Sequence, residues 1–261
     1  MKPTSIAAIN LLPWFEKKAT YCRFIPSELL ERFDIAPDFT DSKGRSLISL
    51  SCEEGSSDVE VDLRHMVDAE DPLLYAHLTD TINGQIHVLL YVVNDPEGPR
   101  FDVDRMPDGS PTRFGILQRN IEAEIAAMRA GLAPGQVRRG LRLLQHSTPA
   151  FEAFVESLGH DLFFVEPLSY HNAVIFERYG MGYVRGQKLM EHVHAEFQEG
   201  CSLRSMLDAS SPFRMPEYAS SIRGRSWAIH DGILGQVFSD VTMYKQIRRS
   251  AGVDTFPNAI W

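Results

Sequence analysis

Apolar and polar residues alternate along this chain with two different periods, and the changes of period mark out its elements. Leu162, Phe163, Phe164 and Val165 form an unbroken apolar run of strand length, the pattern of a strand covered on both faces. Pro167 and Ser169 end it, Ala173–Arg178 continues with helical character, and Gly180 offers a left-handed stop. Upstream, Leu73–Ile82 and Gln85–Asn94 read as a hairpin around Asn83-Gly84, a dipeptide that tolerates positive φ at both central positions of a tight turn. Its second arm, IHVLLYVV, is apolar on both faces and predicts a central strand. Leu47–Leu50 and Val59–Leu63 read as two earlier strands, and Arg100–Asp104 as a later one.

Helical periodicity is clearest over Asn120–Ala130, where Ile121, Ile125 and Met128 share a face and Gly131 follows. Two further helices are expected over Gln136–Gln145 and from Pro149, the second striped by Phe151, Phe154, Val155 and Leu158 and closed by Gly159. Residues 1–45 suggest short helices, with Ser27 capping Glu28–Phe33. A strand is expected near Tyr183–Leu189, and residues 191–261 return to helices and loops, including Ile229–Phe238. Antiparallel strands followed by helix, strand, helix, strand make an α/β protein of the α+β type: a mixed, largely antiparallel central sheet flanked by helices.

Composition narrows the function classes. With 44% hydrophobic and 23% charged residues the chain has the make-up of an ordinary globular protein. No apolar run approaches the roughly 20 residues that cross a bilayer. The N-terminus, interrupted by Pro13 and Trp14, does not read as a signal peptide, so the expected location is cytoplasmic. Cys22, Cys52 and Cys201 lie too far apart for metal-ligand spacing or a disulfide framework. A net charge of −9 argues against a nucleic-acid partner. The charge is uneven: Glu53–Asp108 carries fourteen acids and three bases, whereas Arg113–Arg142 carries six arginines and two glutamates. A basic patch in an acidic chain suggests a small anionic ligand, and a solvated helix face reads equally well. The expected partners are a small-molecule substrate and, as the assembly allowed for, a second copy in a homodimer, with no membrane.

Several groups of residues carry chemistry. Tyr170-His171-Asn172 follows the buried strand at an elbow, where loops of α/β sheets often work; His171 could serve as general base with Glu166 orienting it, or the three could simply cap the helix. Glu191–Glu196 is the densest set of metal-capable side chains. His192 and His194 would share one side of a strand, and His192 and Glu196 one face of a helix; an ordinary histidine pair is the simpler reading, and a metal is not favoured. Asp102 and Asp104 would face one side of a strand, either as a cation seat or a solvated edge. His230-Asp231 reads as a pair at a helix start.

Three segments together resemble the GNAT N-acyltransferases. Phe176-Glu177-Arg178-Tyr179-Gly180-Met181 is similar to that family's Tyr-Glu-Arg-Leu-Gly-Phe motif, Asp161–Pro167 resembles the strand before it, and Val137-Arg138-Arg139-Gly140-Leu141-Arg142-Leu143-Leu144 looks like the turn and helix that cradle an acyl-CoA pyrophosphate. The likeness covers residues 73–190 and implies a GNAT-like core, with residues 1–72 as an N-terminal extension of helices and strands and 191–261 as a helical C-terminal one. It implies acyl-CoA as cofactor, held by Val137, Arg138, Arg139, Gly140 and Arg142 through backbone N–H groups and guanidinium charge. Arg142 stands where the family has Gly or Ala, and Phe176 where it often has the tyrosine that protonates the leaving thiolate, a role that Tyr170 or, as the weaker candidate, Tyr179 could fill instead. The expected function is acyl transfer to a small amine, using His171, Glu166 and Tyr170. The alternatives are a non-catalytic ligand-binding protein on the same fold and a metal-dependent enzyme built on His192 and His194.

Overall fold

The computed structural model describes residues 2–112 and 118–261. Arg113, first of the six arginines in the basic stretch, lies outside them. The protein is mixed α/β, with a seven-stranded, mostly antiparallel sheet. Its strands are β1 (Ile48–Ser51), β2 (Asp58–Leu63), β3 (Leu74–Asp80), β4 (Ile86–Val93), β5 (Leu162–Val165), β6 (Gly182–Arg185) and β7 (Thr242–Gln246). They lie in the order β1-β2-β3-β4-β5-β7-β6, and only β4 and β5 pair in parallel.

Alternation decides which side of the sheet is buried. Val59, Val61 and Leu63 of β2, Leu74, Ala76 and Leu78 of β3, and Phe163 and Val165 of β5 are all buried, while the residues between them are half-buried. The helices α1 (Ile6–Asn10), α2 (Trp14–Tyr21) and α3 (Ser27–Arg32) begin the chain, followed later by α4 (Ile121–Arg129), α5 (Leu144–Ser157) and α6 (Tyr170–Arg178). On the buried face, Phe151 of α5 meets Phe163 at 4.8 Å between ring centroids, and Phe24 stands 5.5 Å from both Phe151 and Phe154. The Asp80 carboxylate accepts the N–H groups of Ile6 and Ala7 at 2.7 and 2.9 Å, which ties α1 to the end of β3. On the same face, Tyr183 of β6 donates to Glu177 of α6. The other face presents Glu60, Tyr75, His77, Thr79, His87, Phe164 and Tyr244, all half-buried.

The structure alters several expected elements. Only Gly84 of Asn83-Gly84 takes a positive φ, at 74°, and its N–H donates to Thr81 O at 2.8 Å. The hairpin therefore closes with a three-residue loop and a glycine bulge rather than a two-residue turn. Gln136–Gln145 is helical only at Leu144 and Gln145: upstream, the carbonyl of Arg139 accepts from Asp95 at 2.8 Å, and Gly140 bridges to Asn94, so that part extends the β4 edge. The helix begins at Leu144 instead and absorbs Pro149. Arg100–Asp104 is irregular because the Asp102 and Asp104 carboxylates both turn onto Arg100, so an internal guanidinium fills the expected cation seat. After Arg185 the chain enters α7 (Gln187–Glu196) rather than continuing as a strand. Helices α8 (Ser202–Ser205) and α9 (Ile222–His230) follow, so His230-Asp231 ends a helix instead of starting one. The strand β7, within a stretch read as helices and loops, is inserted between β5 and β6.

Candidate functional site

The parallel contact between β4 and β5 lasts only two residue pairs, His87 with Phe164 and Val88 with Val165. The Glu166 N–H then donates to Val88 O at 3.1 Å, β5 ends, and β4 runs on alone on that side to Val93. The register with β3 jumps at the same place: His77 faces Leu90 and Leu78 faces Val88, leaving Leu89 as a bulge. A bulge bends its strand and re-aims its side chains. Leu89–Val93 are half-buried, although their strand lies in the middle of the sheet.

The first turn of α5 stands at the same end of β4. The chain leaves β4 at Asn94, returns beside it at Gly140, and reaches the helix through Leu141–Leu143. Among the described residues, the N–H groups of Arg142, Leu143, Leu144 and Gln145 have no acceptor, and no side chain caps the helix. Arg142 is exposed and left-handed at φ 56, an unusual state for a residue with a Cβ. Beneath this turn, Tyr91 Oη and Ser147 Oγ are buried without hydrogen-bond partners of good geometry among the described residues, and burial pushes the Tyr91 phenol up to about 12. Unpaired amides, the positive end of the helix dipole and an exposed guanidinium together suit an anion. One competing charge is near, since Glu28 of α3 reaches His146 Nδ1 at 2.7 Å.

Of the five residues expected to hold a cofactor, Gly140 and Arg142 lie on this approach. Val137 O accepts from Phe101 at 2.8 Å. Arg138 is engaged by Asp71 at 2.7 Å and by Gly98 O at 2.6 Å, in a cleft of about 220 Å³ also lined by His65, Asp68 and Asn94. Arg139 is exposed and contributes its carbonyl to Asp95. The predicted cradle thus divides, because Arg138 is neutralised inside the fold while Arg142 reaches solvent.

The expected catalytic trio is not brought together. Tyr170 and His171 are 1% and 3% exposed, turned into the protein by the first turn of α6. Tyr170 packs edge-on against Phe238. His171 Nδ1 lies 2.9 Å from Ser226 Oγ, its ring edge meets Trp261, and burial pushes its pKa down to about 3. Glu166, by contrast, is exposed, and its Oε2 lies 4.0 Å from Nε2 of His87. That nitrogen is buried and has no hydrogen-bond partner among the described residues. Burial lowers the His87 pKa and Glu166 partly opposes it. The sequence signal for His87 is plain in retrospect: it is the one histidine in IHVLLYVV, an otherwise apolar strand.

His192 and His194 sit on α7, where a spacing of two residues points side chains apart. His192 is exposed, His194 Nδ1 lies 3.3 Å from the Arg225 guanidinium, and Glu196 accepts from Ser202. Among the described residues, no group of three His, Cys, Asp or Glu side chains is placed to hold a metal ion. Among them also, no helix is long and apolar enough to cross a membrane.

No family model, no curated protein and no solved structure matches this chain.

Proposed function

We propose that this chain transfers an acyl group from a coenzyme A thioester to a small amine. The observation that carries the reading is the parting of β4 from β5 beside the open amide end of α5. In open α/β sheets ligands bind in the crevice outside the carboxyl ends of the parallel strands. In this reading the acyl-thioester arm lies along the free side of β4, past the Leu89 bulge. Its pyrophosphate meets the N–H groups of Arg142–Gln145 and the Arg142 guanidinium. The GNAT-like motif around Phe176–Met181 points the same way from the sequence.

A second reading, ligand binding without catalysis, is favoured by two observations. Phe176 carries no hydroxyl to protonate a leaving thiolate, and Arg138 is already neutralised by Asp71. Thermal shift with acetyl-CoA and a longer acyl-CoA tests whether the anion site exists at all. Ligand at 100 times its Kd stabilises a fold by about 2.7 kcal/mol. For a chain of this size that raises Tm by roughly 5–10 °C. Arg142→Ala is expected to weaken this response several-fold while leaving Tm without ligand within a few degrees. A flat response to every CoA ester removes both readings of the pocket as a coenzyme A site.

A further inference from the structure

We propose that His87 is the residue that carries the proton during acyl transfer, taking it from the acceptor amine and returning it to the departing sulfur, with Glu166 as its positioning partner. The inference rests on the acyl-transfer reading and assigns the proton chemistry within it.

Position comes first. His87 lies in the last stretch where β4 and β5 touch, opposite Phe164, and Glu166 is the first residue beyond β5. The two side chains therefore flank the point at which the strands part. The imidazole lies on the sheet face away from α5, beside Thr79 of β3 and edge-on to Phe164 at 6.3 Å. An acceptor arriving from that face and a thioester held from the α5 side would meet between them.

Isolation comes second. A buried polar nitrogen without a partner is costly, and such exceptions ask for an explanation. His87 Nε2 is one of them. The 4.0 Å separation from Glu166 Oε2 is too long for a hydrogen bond. It is the right span for a third atom, because one nitrogen about 2.9 Å from each completes a triangle over that base. A neutral amine seated there donates one N–H to the carboxylate and the other to the imidazole, which leaves its lone pair free to attack. Elsewhere on this face, His77 Nε2 lies 2.8 Å from Asp58. Burial favours the neutral imidazole, the form that accepts a proton.

The step balances without a further acid. The amine nitrogen attacks the thioester carbonyl, a C–N bond forms, and the C=O π pair moves onto oxygen. The amine proton passes to His87 Nε2. Collapse of the intermediate restores the carbonyl and breaks the C–S bond, and the imidazolium protonates the thiolate. Glu166 remains a carboxylate throughout. One histidine serving both halves removes the need for the hydroxyl that Phe176 lacks.

The experiment uses the full chain, His87→Gln and Glu166→Gln. It reads Tm with acetyl-CoA, and thiol release from acetyl-CoA in the presence of a panel of primary amines comprising polyamines, amino acids and lysine peptides. The expected result is acetyl-CoA stabilisation preserved in all three proteins, with amine-dependent release about 100-fold or more lower in His87→Gln. Glu166→Gln is expected to move the acid limb of kcat/KM to lower pH, since a carboxylate that raises the imidazole pKa has been removed. A merely structural Glu166 would leave that limb in place. Release within tenfold of the parent in His87→Gln overturns the inference and leaves the acyl-transfer reading standing. A chain that binds acetyl-CoA but releases no thiol with any amine of the panel overturns it too, in favour of ligand binding alone. Absence of any acetyl-CoA response overturns the reading and this inference together.

Discussion

His171 shows how much a single burial decides. In water a histidine gains a proton near pH 6.5; in this fold it stays neutral to about 3, because burial penalises the charge. The unfolded chain therefore binds a proton below about pH 6.5 that the folded chain refuses, so the group contributes stability above that pH and loses it as the pH falls toward 3. The slope is about 1.4 kcal/mol per pH unit at its steepest. Urea unfolding between pH 6.5 and 5 is expected to fall less steeply in His171→Gln, by up to one proton's worth, with a lower plateau at pH 7.5 from the disturbed contact to Ser226. An unchanged slope would mean that the imidazole is charged in the fold. The elbow position of Tyr170 and His171 was legible in the sequence, but their direction was hidden in the phase of α6. Tyr170, Ala173, Val174 and Glu177 form its buried stripe, which places the elbow residues inward rather than over the site.

At the scale of elements, α5 is where local pattern and tertiary pairing disagree. Gln136–Gln145 is apolar at helical spacing, yet the chain pairs Gly140 with Asn94 and defers the helix to Leu144, because sheet contacts outweigh a weak local preference. That deferral produces the left-handed Arg142. A side chain in the left-handed region costs about 1–2 kcal/mol. Glycine removes that strain but adds freedom to the unfolded chain worth about 0.5–1 kcal/mol. Arg142→Gly is therefore expected to match or exceed the parent's stability by up to about 1 kcal/mol while weakening acetyl-CoA binding as much as Arg142→Ala does. Denaturant midpoints and calorimetric affinities, measured side by side, check the opposite movements. If Arg142→Gly loses stability, the turn is not strained; if it keeps the parent's acetyl-CoA affinity, the guanidinium does not hold the anion at this terminus. The glycine stop after α6 and the hairpin were readable because they are local; the two-residue contact of β4 with β5 was not, because nothing within either strand records its partner.

Across the whole molecule, the sheet gathers strands from every part of the sequence: β1 and β2 from the N-terminal stretch, β3 to β6 from the middle, and β7 from near the end. β7 is short, alternates polar and apolar residues, and has no hairpin partner next to it in sequence, so its place between β5 and β6 depends on long-range pairing alone. Met243 is fully buried opposite Val165 and Tyr183, and Lys245 reaches Glu152 of α5 at 3.0 Å. Without β7, β6 would have no partner and β5 would keep only its two residue pairs with β4. Domains have only about 5–15 kcal/mol to lose. Emptying one fully buried methionine site costs about 2–5 kcal/mol. Met243→Ala is thus expected to lower the urea midpoint sharply while still giving one cooperative transition. Removal of 241–261 is expected to abolish cooperative unfolding and the dispersed amide spectrum of a folded core. A fragment spanning 1–240 that unfolds in a single transition near the parent's midpoint would show instead that the strands up to β6 form an autonomous unit, with the C-terminal stretch docked on it.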